Sequence, residues 1–172
     1  TIDIGPILGR MQEKRCVDFR LYRESTLRRR INRRMSACGC FDLPSYLSLL
    51  DSTPEELDRL FLDLTIKYTK FFRDSWVFDI LKQDILPVII AEKKRAKDTV
   101  RIWSAGCATG EEAYSLAILI RTIKESQAGF PTIDILATDI DPVALDTARK
   151  GAFRKVFLDS PLDEAIHNYF TD

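Results

Sequence analysis

Apolar residues recur at helical spacing through the first 65 positions. Ile4, Ile7, Leu8 and Met11 predict a helix over residues 3–15, against the bias of Gly5, Pro6 and Gly9. Val17 and Phe19 read as a short extended link. Ser25 is a suitable N-cap for a second helix, in which Leu27, Ile31 and Met35 form a stripe and Gly39 supplies the stop. Asp42 can cap a short helix carrying Leu43, Leu47 and Leu50. Thr53-Pro54-Glu55-Glu56 predicts a threonine cap, a proline in the first turn and a glutamate at the capping-box position. Leu57, Leu60, Phe61 and Leu64 then make a buried face.

The segment Thr65–Arg73 loses this period and reads as a connector. Asp74 can start a helix with Trp76, Val77, Ile80 and Leu81 inward, which Pro87 should break or kink. Lys93, Lys94, Arg95 and Lys97 form a solvated run, so the domain boundary falls between Thr65 and Asp98. Beyond it the pattern changes. Val100, Ile102 and Trp103 predict a buried strand, Gly106–Gly110 a turn, and residues 111–126 a helix with Ala113, Leu116, Ala117 and Ile120 inward. Ile133, Ile135 and Leu136 predict a second strand ending at Asp139, and Asp141-Pro142 opens a helix ending near Gly151. Ser160-Pro161 opens a last one. Strand–helix–strand–helix is the unit of a doubly wound α/β sheet. The expected division is a helical domain with its linker over residues 1–75 and part of an α/β domain over 76–172.

Composition adds mainly through distribution. Lys plus Arg and Asp plus Glu each number 26, so net charge identifies no partner. Between Arg10 and Met35, however, ten basic residues face three acidic ones, which marks two functionally different halves. No apolar run reaches the roughly 18 residues needed to span a bilayer, and no signal peptide is visible, so no membrane insertion is expected. Cys16, Cys38, Cys40 and Cys107 lack C-x-x-C spacing, and the one histidine, His167, is remote from them, which argues against a zinc site. Scattered cysteines fit the reducing cytoplasm.

The richest chemistry lies in Ile102-Trp103-Ser104-Ala105-Gly106-Cys107-Ala108-Thr109-Gly110-Glu111-Glu112. Small residues such as Gly106 let a ligand approach the backbone, although a tight strand-to-helix turn with no ligand has the same pattern. The dinucleotide fingerprint is absent, and Gly110 is followed by Glu111 where a phosphate-binding loop would place lysine. Two carboxylates at a helix N-terminus suit its dipole but repel phosphate, so an amine or sulfonium is the better ligand. Asp139, at the carboxyl end of the second strand, can accept both hydroxyls of a ribose or cap the next helix. Asp141, beside Pro142, suits the cap better. In the connector, polar residues flank Phe71-Phe72, as in a linker packed over a cleft or a loop with two aromatic anchors.

Three stretches together resemble the CheR-type chemoreceptor glutamate methyltransferases. They are Ser25-Thr26-Leu27-Arg28-Arg29-Arg30-Ile31 with Arg33-Arg34-Met35, Thr69-Lys70-Phe71-Phe72-Arg73-Asp74, and Ile102 through Ala117 followed by Ala137-Thr138-Asp139-Ile140-Asp141. The resemblance implies a small all-α N-terminal domain followed by the first part of a Rossmann-like class I methyltransferase domain. It also implies S-adenosylmethionine as cofactor and methyl-ester formation on receptor glutamates in chemotaxis adaptation. By the same resemblance Thr69, Arg73, Gly106, Glu112 and Asp139 contact the cofactor, with Arg73 on the methionine carboxylate at the catalytic centre, Glu112 on the amino group and Asp139 on the ribose. Lys67 departs from the family, which carries asparagine there.

Arg29, Arg30 and Arg33 share one helical face. A solvated surface is the simplest reading. Nucleic acid is disfavoured because no aromatic interleaves the basic residues. The resemblance implies docking to chemoreceptor cytoplasmic helices, steered by charge. The family's later Asn-Leu and Asn-x-x-x-Tyr motifs do not occur after Asp141. The 172 residues alone are therefore expected to be inactive and, with an open sheet edge, to self-associate. The rival expectation is a non-catalytic signalling module that binds a receptor through the basic helix.

Overall fold

A computed structural model describes residues 2–65, 68–125, 129–153 and 169–170. The expected helix from Ser160, together with Lys67 and His167, lies outside them. The chain divides into two compact units, Thr1–Ile66 and Lys67–Asp172, so the residues after Lys67 group with the α/β part.

The first unit holds α1 (Gly5–Arg15), a 3-10 turn (Phe19–Leu21), α2 (Glu24–Ala37), α3 (Leu43–Ser52) and α4 (Pro54–Leu64). Its core unites Ile7, Met11, Phe19, Leu27, Ile31, Met35, Tyr46, Leu50, Leu60 and Leu64, so the predicted stripes of α2 and α4 do face inward. Phe19 is buried in the 3-10 turn, which Asp18 caps by accepting the Arg20 N–H at 2.9 Å, where an extended link was expected. Gly39, at φ +70°, ends α2 with the Cys40 N–H returning to the Met35 carbonyl at 2.9 Å.

Two expected caps are absent. Helix α2 begins one residue before Ser25, with Arg23 at the cap position and no side-chain bond. Thr53 sits at the cap of α4 but its hydroxyl does not bond the helix. Glu56 forms no capping box because its carboxylate is taken elsewhere. It is 2 % exposed, ion-paired with Arg34 of α2, and accepts the Tyr46 hydroxyl of α3 at 3.0 Å. Burial pushes the Glu56 carboxyl up, but bonds from Arg34, Cys38 and Tyr46 outweigh it and hold it below its ordinary value. One buried carboxylate thereby ties three helices.

The second unit runs α5 (Ser75–Ile80), a π-helical turn (Leu81–Ile85), α6 (Leu86–Ala96), β1 (Val100–Ala105), α7 (Glu111–Glu125), β2 (Ile133–Thr138) and α8 (Pro142–Lys150). Strands β1 and β2 pair in parallel, with Val100 opposite Ile133 and Ala105 opposite Thr138. Asp141 caps α8 by accepting the Val143 N–H at 2.9 Å, and Gly151 closes it at φ +60°.

Several inward faces differ from expectation. Trp76, Val77 and Ile80 are exposed, while Phe78 is buried against Phe72 with ring centroids 5.0 Å apart. Pro87 follows a π turn rather than a break: the Leu86 N–H reaches back five residues to the Leu81 carbonyl. In α7 the buried residues are Ser115, Ile118, Leu119, Ile120 and Ile123, and Ala117 is exposed. Strand alternation buries Val100 and Ser104 and turns Trp103 to the opposite, exposed face beside its register partner Leu136.

Candidate functional site

The ends of β1 and β2 are joined by more than the ladder. The Gly106 and Cys107 N–H groups both donate to the Thr138 carbonyl, at 2.8 and 2.9 Å, and the Trp103 indole N–H donates to the Thr138 hydroxyl at 3.0 Å. The turn between β1 and α7 is therefore fixed on the last residue of β2. Gly106 has φ +77° and a Cβ there would meet nothing within 4 Å, so its glycine serves the backbone conformation and leaves open space. Gly110 has φ +102° and its Cβ would stand 2.9 Å from that of Ala148, so glycine also lets α8 close on the turn.

Asp139 braces this turn. One carboxylate oxygen accepts the Ala108 N–H at 2.7 Å and the other accepts the Asp141 N–H at 2.8 Å. The first bond holds Ala108 at φ +48°, unusual for a residue with a side chain. Each oxygen keeps a second lone pair for a ligand. Two further carboxylates stand at the N-terminus of α7. Glu111 accepts the Thr109 hydroxyl at 2.6 Å, and Glu112 accepts the Ser104 hydroxyl at 2.6 Å. Burial pushes the Cys107 thiol above its ordinary range, and Asp139, Glu112 and Glu111 push the same way. Cys107 is thus held as a neutral thiol, unsuited to nucleophilic work. The same negative field favours a cation, and this donor set fits S-adenosylmethionine, which carries an ammonium, a sulfonium and a ribose diol.

The connector reaches the same turn. Phe71 and Phe72 are buried, and the Phe72 N–H donates to Ser115 of α7 at 2.9 Å while the Ser115 hydroxyl bonds the Glu111 carbonyl at 2.6 Å. Phe72 at φ +46° and Asp74 at φ +56° flank Arg73, so the chain bends sharply on both sides of it. The Arg73 guanidinium donates to the Tyr68 carbonyl at 3.1 Å and lies 5.2 Å over the Tyr68 ring. Thr69 and Arg73 therefore stand on a segment tied to the first turns of α7, the helix that begins with Glu111 and Glu112. Ser104 and Ser115 were missed in the sequence, although both fall on buried stripes where a hydroxyl must find a partner.

The basic helix is less free than its sequence implies. Arg30 donates to the Asp63 and Thr65 carbonyls, both at 2.6 Å, and so caps the C-terminus of α4. Arg28 bonds Glu24 and the Ile2 carbonyl, and Arg34 is taken by Glu56. Arg29 and Arg33 remain exposed, with Arg33 3.4 Å from Asp63.

Residues 3–65 match the family model described as the CheR methyltransferase all-alpha domain, and residues 67–172 match that of the CheR methyltransferase SAM binding domain. An uncharacterised 104.1 kDa protein of Rhodobacter capsulatus is 38% identical over 155 residues, covering 90% of this chain and 16% of that protein. A putative methyltransferase of Pseudomonas putida is 30% identical over 152 residues, 88% of this chain and 52% of its own. A chemotaxis protein methyltransferase of Listeria monocytogenes is 31% identical over 156 residues, 91% and 57% respectively. The chain thus spans little more than half the length of the last two and a smaller share of the first. Among the described residues no helix is long and apolar enough to cross a membrane.

Proposed function

The chain belongs to the CheR methyltransferase family, with an all-α unit followed by S-adenosylmethionine-binding sequence, and on that premise we propose that its protein methylates glutamate side chains of chemoreceptors. The observation that carries the reading is that two carboxylates flank one glycine turn: Asp139 accepts the Ala108 N–H of the turn, and Glu112, at the start of the helix that follows, accepts the Ser104 hydroxyl from the strand before it. The Glu112 carboxylate accepts the ammonium of the cofactor's methionine end. The remaining lone pairs of Asp139 accept the ribose hydroxyls. Arg73 turns from its own linker to the methionine carboxylate, and Thr69 lies beside it. The bound cofactor supplies an electrophilic methyl group on a sulfonium. A substrate glutamate, with an ordinary pKa of about 4.3, is already an anionic nucleophile at neutral pH. These residues therefore need only hold the two partners in line and exclude water, with no general base.

Arg29 and Arg33 present the charge that meets the receptor's acidic helices, while Arg30 serves the fold. Reversing both exposed residues, Arg29→Glu with Arg33→Glu, should reduce methyl transfer to receptor fragments about tenfold or more at low ionic strength, and less at high salt. Cofactor affinity should not change. Arg30→Ala should instead lower stability by about 1–2 kcal/mol, through two carbonyls losing a charged donor. Radiolabel transfer from S-adenosylmethionine in the whole protein tests the docking statement, and urea denaturation of the Arg30→Ala variant tests the stability statement. No label on receptor glutamates would remove the proposed activity, and normal transfer with both charges reversed would remove the docking role.

A further inference from the structure

Resting on the assignment of Glu112 to the methionine amino group, we infer that Ser104 is a positioning residue that fixes the Glu112 carboxylate for that contact. Ser104 is the fifth residue of β1 and only 2 % exposed, whereas Glu112 is exposed at the start of α7. Strand alternation puts Ser104 on the buried face with Val100, and the strand pairing of Ser104 with Ala137 holds its backbone. Its hydroxyl donates to one Glu112 oxygen at 2.6 Å, a short bond to an anion. An exposed glutamate has several rotamers of similar energy, and a bond from a rigid buried donor selects one. Donation to a single oxygen leaves the second free for a ligand's N–H groups. Glu111 lacks such a partner: its own bond comes from Thr109, in the turn itself. The two adjacent carboxylates are thereby distinguished, and only Glu112 is referenced to the sheet.

The test compares two ligands. S-adenosylhomocysteine carries the amino group, and 5′-methylthioadenosine carries the same adenosine and sulfur without the amino acid. Calorimetry on the whole protein should find Ser104→Ala weakened for S-adenosylhomocysteine by about two- to tenfold, the cost of ordering one flexible side chain on binding. Affinity for 5′-methylthioadenosine should stay within twofold, which also reports that the variant is folded. Glu112→Gln should weaken S-adenosylhomocysteine more strongly and again spare 5′-methylthioadenosine, and Ser104→Ala added to it should cost nothing further. Equal losses for both ligands in Ser104→Ala would make the serine merely structural and overturn the inference, as would no loss for either. If Glu112→Gln changes neither affinity, the amino-group assignment fails, and the inference with it. If Glu112→Gln discriminates and Ser104→Ala does not, only the role of Ser104 fails.

Discussion

Replacing Asp139 with alanine is expected to lower the protein's affinity for S-adenosylmethionine by about ten- to a hundredfold, the loss of one or two charge-assisted hydrogen bonds. Two effects act together. The ribose loses the acceptor proposed for it, and the Ala108 N–H loses the 2.7 Å bond that holds this residue at φ +48°. Without that bond Ala108 is free to relax to a commoner conformation, and the turn moves with it. Glu112→Ala should weaken binding by a similar factor, at the other end of the ligand and without touching the turn. Titration calorimetry decides the matter. Unchanged affinity in both variants would overturn the cofactor site as assigned.

The second large effect is on stability. Glu56→Gln should cost the helical unit about 3 kcal/mol or more, because Arg34 is left half-buried without its full counter-charge. Domains of this kind are stable by only about 5–15 kcal/mol, so the loss is a large fraction. Its pH dependence has a definite sign. The folded carboxyl lies below its unfolded value, so its contribution is complete above about pH 4.3 and is lost as pH falls through the lower folded value. The variant should lack that acid-induced loss. Hydrogen exchange at the amides of Ile31 and Leu60, both in the core that Glu56 joins, gives the measurement. Wild-type protection in Glu56→Gln at neutral pH would show that the pair contributes little.

The helical stripes, the two strands and the turn between them were legible because each rests on a strong period or on glycine. The inward faces were less legible for a physical reason. Periodicity locates a stripe but does not choose between adjacent large residues, so it places Trp76 inward where the fold buries Phe78. Hydrophobicity groups Trp103 with Val100 and Ile102, whereas period-2 alternation from those two residues assigns the buried position to Ser104. Glu56 could also have been found, because it precedes Leu60 by four residues and so falls on the buried stripe of α4. A charged residue there must have a partner, but the sequence alone does not say that the partner is Arg34. The same applies to Arg30: five arginines in one helix read as a surface, and only the fold shows which of them meet carbonyl groups.

The bond from the Trp103 indole to Thr138 has an optical consequence. The Thr138 carbonyl holds both Gly106 and Cys107, so this indole is joined through one residue to the backbone of the glycine turn, where the cofactor is proposed to bind. Trp76 is the only other tryptophan in these 172 residues, and it is exposed at the start of α5. Within these residues, excitation near the red edge of tryptophan absorption therefore observes two fluorophores, one of them coupled to the glycine turn. With Trp76→Phe the emission of these 172 residues comes from Trp103, and a cofactor that binds at the turn as proposed should change it without a label.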